Sequence, residues 1–140
     1  MRVVISGGID PIIPYPHKGF VNCFEVYGNM FAKAGHDTVY VGLSKLIEDM
    51  DYAKDADLWI TEFNTNFIPL YLLILNGKRN SKVWFVQHGS YDEFNRYDAW
   101  ALKAINNGDA YLANTLHSKN FISKILDIPV YSDIPQPIDD

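Results

Sequence analysis

Apolar residues fall along this chain in two alternating patterns. Short runs rich in β-branched and aromatic side chains occupy residues 3–6, 38–42, 58–63, 83–87, 110–113 and 130–134. Most are nearly unbroken in apolar residues, as strands buried on both faces are, whereas a half-solvated strand alternates apolar and polar. Between them lie longer stretches with apolar positions at steps of three and four, the spacing of one helix face. The first covers residues 20–34, with Val21, Phe24, Gly28 and Phe31 in line, and Gly35 stands where a C′ glycine ends a helix. A short helix is predicted over residues 45–53 and another over 67–76, stopping near Gly77. A fourth covers 92–106, with Phe94, Tyr97, Ala101 and Ile105 inward and Gly108 as its stop. A fifth covers 116–126, with Thr115 as its N-cap.

The resulting order is βαβαβαβαβαβ. Strands joined through helices run parallel with right-handed crossovers, and helices cover both faces. The expected fold class is therefore α/β: a doubly wound, Rossmann-like, three-layer domain with a mostly parallel six-stranded sheet, occupying residues 1–140 as one unit. Prolines collect after the first strand (Pro11, Pro14, Pro16) and near the end (Pro129, Pro135, Pro137). Residues 134–140 read as an extended exit, since proline disfavours helix in the residue before it.

Composition narrows the partners. A chain of 140 residues buries roughly 68–70% of its unfolded surface, enough for a core without a disulfide or structural metal. Hydrophobic residues make up 48% and aromatic residues 14%, too many for a disordered chain. The formal charge of −5 works against nucleic acid and anionic lipid. The densest basic group, Lys78, Arg79 and Lys82, reads as a solvated helix end. One cysteine, Cys23, excludes an internal disulfide, reads as a small core residue, and fits a reducing, cytoplasmic setting. The N-terminal apolar run is a strand's length rather than a signal peptide's. Residues 67–75 contain Pro69 and fall short of the ~20 residues of a transmembrane segment. His17, His36, His88 and His117 form no pair at ligand spacing, and one cysteine cannot build a cluster, so no metal site is expected.

Chemistry belongs at the carboxyl ends of the strands, where open parallel sheets bind ligands. Four polar sets should meet there: Gly7-Gly8-Ile9-Asp10 leading to His17-Lys18-Gly19, then Thr61-Glu62-Phe63-Asn64-Thr65-Asn66, Gln87-His88-Gly89-Ser90-Tyr91-Asp92, and Asn114-Thr115-Leu116-His117-Ser118-Lys119. The glycine pair at 7 and 8 matches no phosphate-loop pattern and reads as a tight exit turn. Gly19, before a helix, could let backbone N–H groups approach an anion. His88 is the sharpest candidate, because an imidazole titrates near neutrality and Gly89 lets the backbone turn. It reads equally as a histidine tied to a backbone carbonyl. Glu62 could polarise a hydroxyl or cap the following helix. Asp92 reads as a first-turn carboxylate, His36 as a turn residue, and His117 as either a surface residue or one facing the cleft.

Several stretches together resemble the N-terminal, acceptor-side domain of GT-B glycosyltransferases, in particular the retaining family-4 enzymes (glycosyl transferases group 1). Gly35-His36-Asp37-Thr38-Val39-Tyr40-Val41 matches that family's G-H-x-V-x-V signature. Ala56-Asp57-Leu58-Trp59-Ile60 matches its "A-D" strand start, Val83-Trp84-Phe85-Val86-Gln87-His88-Gly89 its strand ending in His-Gly, and Gly108-Asp109-Ala110-Tyr111-Leu112-Ala113-Asn114-Thr115 its second such strand. Ile134-Pro135-Gln136-Pro137-Ile138-Asp139 matches the exit, with Gln136-Pro137 in place of the usual Asn-Gly. The resemblance implies a sugar moved from a nucleotide-sugar donor, a co-substrate rather than a cofactor, to an unknown acceptor. It implies that His88 points at the transferred sugar and that Gly19, with Lys18 beside it, approaches the donor phosphates; Glu62, Asn64, Asn114 and Thr115, from the polar sets at the strand ends, are the further candidate substrate-binding residues. The C-terminal donor-binding domain is absent from these 140 residues, so a second domain or separate subunit is an implied partner, and negligible transfer is expected from the chain alone. Rival expectations are a non-catalytic interaction module or remnant, and a flavodoxin-like or receiver-like domain. A receiver lacks its aspartate at Thr61-Glu62-Phe63, and a flavodoxin lacks its Ser/Thr-rich loop at Gly7-Gly8-Ile9-Asp10. A phage-type DNA glucosyltransferase shares the two-domain plan, but the acidic balance argues against a DNA acceptor.

Overall fold

The computed structural model describes residues 1–7, 13–14, 23–87 and 90–132. Among them, seven strands form one sheet in the order β2-β3-β1-β4-β5-β6-β7. The six expected strands are β1 (Arg2–Gly7), β3 (Asp37–Gly42), β4 (Leu58–Glu62), β5 (Lys82–Val86), β6 (Ala110–Leu112) and β7 (Val130–Tyr131). Every pairing among these six is parallel. The seventh, β2 (Ile13–Pro14), adds an antiparallel edge to β3 where a proline-rich loop was expected. An outer strand tolerates proline because one row of its N–H groups has no neighbour to meet.

The six parallel strands follow chain order 2-1-3-4-5-6. The chain steps one way once, from β1 to β3, and the other way at every later crossover. Right-handed crossovers then put the first connecting helix on one face and the later ones on the other. The two core clusters follow this division. Val3, Ile5, Leu58, Ile60, Val86 and Leu112 pack with Tyr27 and Phe31 of α1 (Cys23–Lys33). Val4, Trp59, Val83, Phe85 and Tyr111 point the other way, as alternate strand residues must. They pack against residues of α2 (Leu43–Glu48), α3 (Asp51–Lys54), α4 (Ile68–Asn76), α5 (Ala99–Asn106) and α6 (Leu116–Ile122).

Helix boundaries depart from the sequence reading where an aspartate intervenes. The helix expected over residues 45–53 is two, α2 and α3. Between them Asp49 Oδ1 accepts the Asp51 N–H at 3.2 Å, a local turn that competes with continued helix. The helix expected over 92–106 is a 3-10 turn, Tyr91–Arg96, followed by α5. Asp98 restarts it: its backbone is extended and its Oδ1 accepts the Ala101 N–H at 3.0 Å. The helix expected over 116–126 ends at Ile122, and Thr115 caps it through Ser118 as expected. Gly35 sits at φ 91, the left-handed geometry its place after α1 called for.

Two strand pairs, β1 with β4 and β5 with β6, are fastened near their start by a carboxylate. Asp57 Oδ2 accepts the N–H of Arg2 at 2.7 Å, and Asp109 Oδ2 accepts that of Val83 at 2.8 Å. Arg79 donates to Asp109 at 3.2 Å and to the carbonyls of Ser81 and Asn107. That overturns the solvated-helix-end reading for Arg79, which is a half-buried clamp across the lower edge of the sheet. A Cβ at Gly108 would stand 2.7 Å from the Phe85 ring, so this helix-stop glycine is also a point of close packing.

Candidate functional site

The carboxyl ends of the central strands lie level. Glu62 pairs in register with Val86, and Val86 with Leu112. Beneath this rim a buried chain of side chains fixes the exit of β4. The Trp59 indole N–H donates to Ser6 Oγ at 2.8 Å, and Ser6 donates to Thr61 Oγ1 at 2.8 Å. Thr61 Oγ1 and the Tyr71 hydroxyl both reach the Glu62 carbonyl, and the Asn64 N–H donates to the Tyr71 oxygen at 3.2 Å. Tyr71 is fully buried in α4 and stacks on Trp59 and Phe63. Burial raises its pKa well above the ordinary phenol value, opposed by the hydrogen bonds from Thr61 and Asn64. The hydroxyl therefore stays a donor to the β4 carbonyl, and the backbone that carries Glu62 and Asn64 has one direction. Asn64 Oδ1 then accepts the Asn66 N–H at 2.9 Å and starts the 3-10 turn Thr65–Phe67 that leads into α4.

Above this floor lies a cleft of about 540 Å³ between the β4 exit and the start of α5. One wall is Glu62, Phe63, Asn64, Thr65 and Ile68; the other is Glu93, Arg96, Tyr97, Asp98 and Ala101. Tyr97 stands between them. Its ring meets Phe63 edge-on at 5.3 Å and Phe94 at 4.9 Å, and its hydroxyl lies 3.5 Å from Glu93 Oε2. Its pKa is pushed up to about 12, first by burial, then by the negative charges of Glu93 and Glu62. Carboxylates from both walls thus act on one phenol. Asp98 commits Oδ1 to the α5 cap. Three carboxylates against one guanidinium leave the cleft acidic, yet among the described residues no group of three His, Cys, Asp or Glu side chains is placed to hold a metal ion.

The chain matches no protein-family model, and no curated protein or solved structure matches it either.

A second polar cluster lies further along the same rim. Asn114 donates its N–H to Gln87 Oε1 at 3.0 Å, and Gln87 Nε2 donates to Ser118 Oγ at 3.2 Å. Ser118 Oγ reaches Asn114 Oδ1 at 3.3 Å, while Thr115 Oγ1 accepts the Ser118 N–H at 3.0 Å. These bonds tie β5 to the first turn of α6. Among the sequence-chosen residues, Glu62 and Asn64 line the cleft. Asn114 and Thr115 do not; the bonds they make hold the helix start together. His88, Gly19 and Lys18 lie outside the described residues. His117 is exposed, and its ring meets Tyr91 edge-on at 4.6 Å.

The opposite wall was not legible as a site. Tyr97 reads as one inward position of a long helix, and nothing in the pattern singles out Glu93 or Arg96. The available signal was Asp98, an N-cap residue type immediately before the apolar run of α5. Among the described residues no helix is long and apolar enough to cross a membrane.

Proposed function

We propose that this chain is the acceptor-side half of a GT-B glycosyltransferase, which works with a donor-binding half to move a sugar from a nucleotide-sugar donor to an acceptor. The observation that carries the reading is the cleft at the carboxyl rim of a parallel sheet, with Glu62 and Asn64 in its wall. That is where this class of sheet takes ligands. Its acidic lining supports the acceptor side over the donor side, because a diphosphate entering it would meet like charge. The same strand order occurs in flavodoxin-like folds, so topology alone does not choose between them. The sequence Gly7-Gly8-Ile9-Asp10 at the end of β1 favours the transferase over a flavin phosphate loop.

In this reading the acceptor hydroxyl lies against Glu62, whose carboxylate takes up its proton or orients it, and His88 faces the sugar being transferred. Stabilising charge on the departing diphosphate comes from the other half. The test is transfer from UDP-, GDP- and ADP-sugars, measured on the chain alone and with a donor-binding domain joined or added. Negligible turnover alone and turnover with the partner are expected, the latter falling at least a hundredfold in His88→Ala. Brisk transfer by the chain alone defeats the half-enzyme reading.

A further inference from the structure

The cleft between β4 and α5 has a size, a wall and a sign of charge that together choose a ligand. Its volume of about 540 Å³ falls within the roughly 300–1,000 Å³ of small-molecule sites. The Tyr97 ring forms part of one side, over Phe63. A flat aromatic wall suits the C–H face of a pyranose and gains further attraction from a cation lying over it. Asn64 and Thr65 bring an amide and a hydroxyl, which can donate to or accept from ligand hydroxyls. Glu93 faces the same space, with a long 3.5 Å approach to the Tyr97 hydroxyl. A metal ion would need donors gathered within bonding distance, and the described residues provide no such group. A phosphate would be repelled by the carboxylates. An ammonium group carried on a hydroxylated ring satisfies both walls.

Resting on the acceptor-side reading above, we propose that this cleft binds an amine-bearing sugar, with Glu93 as the counter-charge of its ammonium group and the Tyr97 ring as the platform for its apolar face. Binding desolvates the ammonium next to the carboxylate, so the attraction is stronger there than at an open surface. A neutral sugar of the same shape keeps the stacking and the hydroxyl contacts and forgoes the charge.

The experiment is an amide-resolved NMR titration of the whole chain at pH 7 and low salt, with glucosamine, glucose, N-acetylglucosamine and UDP as probes. Glucosamine is expected to shift resonances of residues 62–68 and 93–101 with an affinity at least about tenfold above that of glucose or N-acetylglucosamine, a factor worth ~1.4 kcal/mol. Raising the salt should erode that preference, and Glu93→Gln should abolish it while leaving weak neutral-sugar binding in place. The same spectra report whether the variant is folded, and Glu62→Gln provides a second charge removal in the opposite wall. Equal binding of glucosamine and glucose in the cleft would overturn the ammonium assignment and leave the acceptor-side reading standing. No shift there with any sugar would overturn both. UDP shifting the cleft resonances would overturn the charge argument itself.

Discussion

Asp57 and Asp109 show how much of a motif can be mechanical. Each follows a small residue at the start of a strand, and each accepts a backbone N–H from the first two residues of a neighbouring strand. A carboxylate in that position satisfies a donor the ladder leaves over, and a charge-assisted bond of this kind contributes about 1.5–3 kcal/mol. Asp109 also holds Arg79. Replacing Asp109 by Ala should therefore lower stability by about 2–4 kcal/mol, since a half-buried guanidinium loses its counter-charge. Asp57→Ala, at a more exposed bond, should lower it by about 1–2 kcal/mol. Urea denaturation followed by circular dichroism distinguishes the two, and equal small losses would mean that Arg79 is satisfied by its carbonyls alone. These aspartates stood out in the sequence as marks of a family, but their partners are 55 and 26 residues away. Only the folded register discloses what they bind, and it makes them witnesses to the fold rather than to an activity.

Strands were legible because burial on both faces writes itself as unbroken apolar runs, and all six expected ones are present. Helix ends were less so. Periodicity persists across a break when both pieces face the same core, as Phe94 and Tyr97 on one side of Asp98 and Ala101 and Ile105 on the other do. The break is what forms the second wall of the cleft. A continuous helix would carry Tyr97 around its axis instead of leaving it extended beside Phe63. Asp98→Ala should cost about 1 kcal/mol for the lost cap. It should also loosen the packing that buries Tyr97 and let the ring move away from Glu93 and Glu62, so that its ionisation falls back toward 10, read by absorbance against pH with Tyr97→Phe as the reference. The floor answers to a different element. Tyr71→Phe deletes the donor to the Glu62 carbonyl and the acceptor for the Asn64 N–H. A loss of about 1–3 kcal/mol is expected, with amide exchange at Asn64 accelerated. Unchanged exchange there would show that the β4 exit is held without the phenol.

At the scale of the molecule, the single leftward crossover and the rightward ones after it gather α2 to α6 on one face of the sheet. The helix-on-both-faces expectation holds, but unevenly, and the inequality follows from the handedness rule once the strand order is known. Strand order itself was not written in the sequence, since each apolar run fits any slot in a parallel sheet. The crowded face holds Tyr71 and Tyr111, with Tyr97 at its margin. Burial raises all three phenols above 10, Tyr97 to about 12 and the other two in the same direction. The unfolded chain releases these protons near 10 while the folded chain retains them, so above that pH the unfolded state binds fewer protons and stability falls. The loss begins as pH rises through the unfolded value of 10 and continues until the folded phenols ionise; below about pH 9 these groups leave stability unaffected. Tyr71, Tyr97 and Tyr111 should ionise late, in one step that coincides with loss of the far-ultraviolet signal between pH 10 and 12. Tyr97→Phe should shift that step toward higher pH, because one of the groups that pulls the chain open at high pH is gone. Ionisation of Tyr71, Tyr97 and Tyr111 near 10 with the helical signal intact would show that these rings are open to water, and with them the packing that holds the cleft wall in place.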